Sequence, residues 1–310
     1  MIYCNKQTNT GGYIVRRRLT KLEKKRNIAG YLFILPQLIG FFAFVVFPLV
    51  FSLYLCFAEW NMIDAPTFVG FRNFEAVFRD RIFWKATGNT FIYIAIVVPL
   101  TLITSLTLAL LTNRKLKLMK FYRAAFFLPM VTSTVAIAMV WTFIYQPEGG
   151  IINSLLSSIG IQNLPNWLND EKFARIAVSI VSIWLKVGYY YIIFDAGLKN
   201  IPKEMYEAAD IDGASPLRKI WKITLPMLSS VMFFVTVMLF IDIFNMFNEV
   251  YIMTAGGPDY STYTMSMYIY FYAFKQDDMG RAAVASWVLF GLVAIVTAIQ
   301  FKVKKKLVIE

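Results

Sequence analysis

The sequence predicts an all-α membrane protein of six spanning helices, with both termini on the cytoplasmic side. Three observations predict it. Of the 310 residues, 58% are hydrophobic and only 16% are charged. An average soluble chain is about 45–50% apolar and about 25% charged, and a soluble domain of this size has too little interior to hide the surplus. The apolar residues gather into six stretches, each long enough for the ~20 residues a spanning helix needs. The basic residues lie overwhelmingly in alternate connections, as the positive-inside rule requires.

The first stretch covers 28–57. It is far longer than the ~7–15-residue core of a signal peptide and follows a charged tail, so it is expected to stay as a helix. The others cover 86–112, 124–145, 173–197, 223–252 and 281–301. The first, third and sixth are nearly free of charge, whereas the fourth carries Arg175, Lys186 and Asp195 and the fifth Asp242 and Glu249. Pro36, Pro48, Pro99 and Pro129 fall inside or at the ends of spans, which membrane helices tolerate when neighbours satisfy the freed carbonyls. Between spans three and four, Pro147, Gly149, Gly150, Gly160 and Pro165 bracket 151–159. That pattern reads as a short amphipathic helix lying on the outer surface between two turns. The chain is thus expected to comprise a basic tail (1–27), a six-helix domain (28–301) and a second basic tail (302–310).

Charge fixes the orientation. The N-terminal tail holds Lys6, Arg16, Arg17, Arg18, Lys21, Lys24, Lys25 and Arg26. The loop after span two holds Arg114, Lys115, Lys117, Lys120 and Arg123, and the loop after span four Lys199, Lys203, Arg218, Lys219 and Lys222. With Lys302, Lys304, Lys305 and Lys306 they make 22 basic residues on one side. The other three loops hold six: Arg72, Arg79, Arg81, Lys85, Lys172 and Lys275. The net charge of +12 is therefore a topological marker rather than a nucleic-acid signal. With no histidine in the chain, histidine catalysis and histidine metal sites are excluded, and no metal or catalytic residue is expected. Cys4 and Cys56 fall on opposite sides of the membrane, too far apart for a disulfide.

The loop between spans four and five, about 198–222, carries the informative pattern. Pro202 suits the first turn of a helix, and 203–212 is good helix material. Gly213 can adopt the left-handed conformation that closes it. Ser215 and Pro216 are an N-cap and a proline at the first helical position of a second helix. Glu207, Asp210 and Ile211 share a face by their i, i+3, i+4 spacing, and the small Ala208 and Ala209 allow a partner to come close.

Glu207-Ala208-Ala209, three residues, Gly213, nine residues, then Ile223-x-Leu225-Pro226 resembles the E-A-A motif of binding-protein-dependent ABC importer permeases. Flanking segments resemble the carbohydrate branch of that family, the maltose- and glycerol-phosphate-type permeases. They are 31–36 with Phe47-Pro48, Phe68-Val-Gly-Phe-Arg-Asn-Phe74, 121–123 with 127–129, Met253-Thr-Ala-Gly-Gly-Pro258, and Ala273-Phe274 with 279–283. Two departures stand out: Asp195 replaces a usual leucine, and Phe71 replaces the leucine of its loop.

The resemblance implies the type I importer permease, MetI-like, fold. It implies a second permease chain, most often a different one, two ATPase subunits, an extracellular solute-binding protein and the bilayer of a bacterial cell membrane as partners, with no nucleic acid. The chain lacks G-x-x-x-x-G-K-[ST], so it is expected to bind no cofactor itself and to leave ATP-Mg to the ATPase. Glu207, Ala208, Ala209, Asp210, Ile211 and Gly213 are then the ATPase-coupling residues, and the transported solute is a sugar or oligosaccharide. An ABC permease for a polyamine, peptide or amino acid is the alternative. A self-sufficient transporter is disfavoured because no internal repeat is visible.

Charges inside a membrane cost at least ~2.5–3.5 kcal/mol each and line cavities or find partners. In span four, Ser182, Leu185, Lys186 and Tyr189 share a face, and in span five Asp242 and Met246 occupy comparable positions. The span-four stretch, aligned through Trp184 and its distance to Glu207, resembles the part of the family that contacts sugar, so these six are the expected substrate path, with Tyr189 as the platform for a sugar ring. For Lys186 three roles stand open: pairing with Asp242, binding an acidic sugar, or lying in an aqueous vestibule without contact to substrate.

Overall fold

The computed structural model describes residues 20–113 and 119–307. Cys4 and the basic residues Lys6, Arg16, Arg17, Arg18, Arg114, Lys115 and Lys117 lie outside the described residues, as do the side chains of Lys24, Lys120, Lys304, Lys305 and Lys306. The chain divides into two units, one ending at Tyr54 and one starting at Leu55.

The first unit is a helix with an irregular middle. Helix α1 (Lys21–Phe41) runs into a π-helical segment, Phe42–Val46, and on into α2 (Phe47–Leu55). The π segment sits just ahead of Pro48. In a regular α-helix the ring of Pro48 would clash with the carbonyl four residues back, and a π turn relieves that conflict.

In the second unit a two-stranded antiparallel ribbon, β1 (Ala58–Glu59) on β2 (Thr67–Phe68), leads to α3 (Arg72–Arg79). Asn73 holds the ribbon. Its Nδ2 donates to the carbonyls of Cys56 (3.1 Å) and Ala58 (2.9 Å). A Cβ on Gly280 would lie 2.4 Å from that same Nδ2, so this position has room only for glycine. Asp80 then caps α4 (Arg81–Thr112), accepting from the Ile82 N–H at 2.8 Å.

Next come α5 (Met119–Val131) and α6 (Thr134–Ile144), set at 98° to each other. Helix α7 (Ile151–Ser158) lies where the amphipathic helix is expected. Asn153 fastens its loop, donating to the Pro147 and Pro165 carbonyls (both 3.1 Å) and accepting from Trp167 Nε1 (2.8 Å). Helix α8 (Glu171–Lys199) follows, then α9 (Lys203–Ile211) and α10 (Pro216–Lys219). A second π segment, Ile220–Thr224, precedes Pro226 in α11 (Leu225–Met227) with the spacing seen at Pro48. Helices α12 (Ser229–Phe244), α13 (Asn248–Thr254), α14 (Met265–Phe274) and α15 (Met279–Leu307) complete the unit.

Among the described residues, four helical segments are long and apolar enough to cross a membrane: Lys25–Leu55, Arg81–Thr112, Glu171–Lys199 and Met279–Val303. Two bent pairs, Phe121–Val131 with Thr134–Ile144 and Pro216–Met227 with Ser229–Phe244 at 68°, raise the number to six if each pair is one span. The core of the second unit is α8 packed on α4 and α5, with α12 against α4 and α15. At the crossing of α5 and α8 a Cβ on Gly188 would stand 1.8 Å from the Phe126 carbonyl oxygen. The two backbones touch because that side chain is missing.

Two expected spans need correction. Residues 124–145 are not one helix, because the chain turns sharply at 132–133 beyond Pro129. The stretch 223–252 does not continue through 245–247: α12 stops at Phe244, and the Asn245 amide caps it by donating to the Ile241 carbonyl at 3.2 Å.

Candidate functional site

The loop 198–222 folds as its residues dictate. Pro202 stands at the N-cap of α9, and Asp212 at its C-cap donates its N–H to the Ala208 carbonyl. Gly213 then takes φ +68°. Its N–H reaches the Asp210 carbonyl at 3.1 Å, while the Ala214 N–H reaches the Ala209 carbonyl at 2.9 Å. These two bonds are the Schellman closure, which accounts for the fixed distance from the alanine pair to the glycine. Ser215 caps the next helix by accepting from the Arg218 N–H (3.4 Å), with Pro216 at its first turn.

No residue of α9 is buried. Glu207, Ala208, Asp210 and Ile211 are exposed, and Ile211 is 88% so. Asp210 is engaged within the chain, in an ion pair with Lys219. Tyr206 ties the helix to its base, its hydroxyl 2.9 Å from Thr224 Oγ1 in the π segment before Pro226. The motif's proline and its helix are thereby mechanically joined, a link that sequence spacing alone does not reveal.

The second place is a cavity of about 320 Å³ among α5, α6, α8, α12 and α13. Leu185, Lys186 and Tyr189 of α8 line it with Asp242 of α12, and so do Tyr190, Met238, Pro129, Met130, Thr134 and Glu249. Lys186 does not pair with Asp242. Its Nζ donates to Glu249 Oε1 at 3.0 Å, and Ser182, fully buried, donates to the same oxygen at 3.3 Å. Asp242 instead accepts from the Tyr190 hydroxyl at 2.5 Å.

The break at 245–247 explains the exchange. Were the helix to run on, Met246 would sit one turn above Asp242. The break turns Met246 into the interior, 2% exposed, where its carbonyl accepts from Thr264 Oγ1 at 2.9 Å. Met246 does not line the cavity. Helix α13 instead packs on α6 and α8 and delivers Glu249 to Lys186. Ser182 likewise sits behind the wall, as a support for Glu249 rather than a lining residue.

Asp195, the unexpected acid in α8, is buried. It accepts from Lys199 Nζ at 2.6 Å and meets Arg123 Nη2 at 3.2 Å. This departure from the family pattern is a clamp that ties α5 to the last turns of α8, three residues ahead of the loop's own Leu198. The i, i+4 spacing to Lys199 was a visible signal for one half of it. Arg123, in another helix, was not.

A cavity with Lys186, Asp242 and Glu249 in its wall and an exposed, capped helix thus lie in one helical unit that carries long apolar segments. Residues 101–308 match the family described as binding-protein-dependent transport system inner membrane component. The chain is 38% identical to the probable ABC transporter permease protein YesP of Bacillus subtilis, over 94% of this chain and 96% of that protein. It is 33% identical to the lactose transport system permease protein LacF of Rhizobium radiobacter, over 91% and 96%. A crystal structure of a bacterial ABC transporter involved in the import of the acidic polysaccharide alginate superposes with TM-score 0.81, 22% identity, and coverage of 93% of this chain and 99% of that one. The chain belongs to the binding-protein-dependent transport system inner membrane component family. It is a transporter subunit, not an enzyme.

Proposed function

We propose that this chain is one permease of an ATP-driven importer of sugars or oligosaccharides, working by alternating access. In this reading six helices cross the bilayer, both termini are cytoplasmic, and the two bent pairs are spans three and five. The 22 basic residues of the termini and alternate loops support that orientation. A second, different permease chain, two ATPase subunits holding ATP-Mg and an extracellular binding protein complete the machine.

The observation that carries the reading is α9. It is a capped helix with no buried residue that bears the E-A-A residues, with Ile211 exposed and Tyr206 linked through the π segment toward α12. Docked in a groove of the ATPase, Glu207 meets basic groups while Ala208 and Ile211 supply apolar contact. Ala209 and Gly213 keep the helix compact, and Asp210 holds it to Lys219. Movement of α9 passes through the Tyr206–Thr224 contact to α12, which carries Asp242 on the cavity wall. Tyr189, Leu185, Lys186 and Asp242 line the substrate path. The relatives support a saccharide over an amino acid, peptide or polyamine: LacF is named for lactose and the structural neighbour for alginate.

Reconstitution in proteoliposomes tests the whole. Sugar uptake is expected only when both permeases, the ATPase, binding protein and ATP are present. Uptake by this chain alone, without ATP, would overturn the reading.

A further inference from the structure

The relatives leave the charge of the sugar open, since lactose is neutral and alginate acidic. The cavity wall speaks to it. Its charged side chains among the described residues are Lys186, Asp242 and Glu249. Lys186 is committed: its ammonium, on a side chain 18% exposed, lies 3.0 Å from the carboxylate of Glu249, whose side chain is 5% exposed. Drawing Lys186 away to meet an anionic ligand would strand Glu249 as an uncompensated buried charge. Asp242 has no cation paired with it among the described residues. Its one hydrogen bond among the described residues is from the neutral Tyr190 hydroxyl to Oδ2, so Oδ1 accepts from no described group, and Asp242 lines the cavity together with Tyr189. The three side chains therefore sum to one formal negative charge on the wall, which opposes an anionic ligand.

We propose that Asp242 makes this wall select uncharged saccharides. Its free oxygen accepts a sugar hydroxyl over the Tyr189 ring, and its charge rejects uronates. The proposal rests on the sugar reading above and adds to it the charge class of the ligand.

The test uses the complete importer with its binding protein in proteoliposomes. Uptake is measured for a pool of neutral disaccharides and for the same pool oxidised at C6 to uronates. The wild type is expected to take up the neutral pool at least tenfold faster. Asp242→Asn keeps an acceptor for Tyr190 and removes the charge, and is expected to raise the uronate-to-neutral ratio about tenfold. Asp242→Glu, which keeps the charge, is expected to keep the wild-type ratio. Because every variant is read as a ratio with one binding protein, partial loss of folded complex cancels. Equal uptake of both pools by the wild type, or an unchanged ratio in Asp242→Asn, overturns the proposal and leaves the sugar reading standing. Uptake of neither pool overturns the sugar reading itself.

Discussion

The helix at 203–211 and the cavity wall at Lys186, Asp242 and Glu249 are built in opposite ways. The helix is local: its start, its stop and its exposed face are set by residues within about a dozen positions of one another. Its capping bonds run from Asp212, Gly213 and Ala214 back to Ala208, Asp210 and Ala209. The wall is assembled from five helices, and its central ion pair joins residues 63 positions apart. The difference separates two kinds of fragility. A change on α9 is expected to leave the fold intact and to cut the proposed communication with the ATPase. A change in the wall strands a charge and loosens the fold.

That contrast gives ways to break it. The largest effect on transport is expected from Glu207→Lys, which reverses a charge on an exposed face. Uptake by the reconstituted complex should fall to background. The melting midpoint should hardly move, because surface substitutions of this kind lie within about 0.5 kcal/mol. An equal loss of melting temperature would make Glu207 a structural residue.

Glu249→Ala should behave the other way. It leaves Lys186 uncompensated in the wall, at a cost of about 3–5 kcal/mol. A cycle with Lys186→Met and the double variant Lys186→Met/Glu249→Leu sharpens this. The double should melt above either single, since an apolar pair strands no charge. Additive losses would mean the 3.0 Å contact contributes nothing.

Gly188→Ala should come next. The added methyl meets the Phe126 carbonyl and must push α5 off α8. A penalty of about 1–3 kcal/mol is expected, with impaired uptake because Met130 and Leu185 on the two helices both line the cavity. Wild-type melting would show that the helices have slack there. Gly213→Ala is expected to be mildest. A Cβ at φ +68° meets open space, so only the left-handed backbone penalty of about 1–2 kcal/mol applies, confined to the loop. Uptake should drop while global melting stays put.

What the sequence made legible follows the same division. The capping of α9 at Pro202 and Gly213, and of α10 at Ser215 and Pro216, was readable because each residue type has one local reason to be there. The four long apolar segments were readable to within a few residues from composition. The partner of Lys186 was not. With 223–252 as one continuous helix, Asp242 is the candidate ion-pair partner, one of three roles open for Lys186; the stop at Phe244 brings Glu249 round to α8 instead. The run Asn245-Met-Phe-Asn248 gives no proline or glycine to mark that stop. The two π segments sit at visible prolines, Pro48 and Pro226, yet Pro36 and Pro99 lie in helices with no π turn. A proline thus marks a possible irregularity without deciding it. Asp195 marked itself as a departure, but its tie to Arg123 depends on how α5 crosses α8.

The central claim is that α9 faces a separate ATPase across the membrane from α7. Photocrosslinking tests it most directly. A photoreactive phenylalanine analogue is placed at position 211, where Ile211 is 88% exposed, or at 155 on α7, where Leu155 is 62% exposed. The assembled complex is then irradiated in membranes. An ATPase-subunit adduct is predicted from position 211 and none from 155. An ATPase adduct from 155, or its absence from 211 in a complex that still transports, would contradict the account.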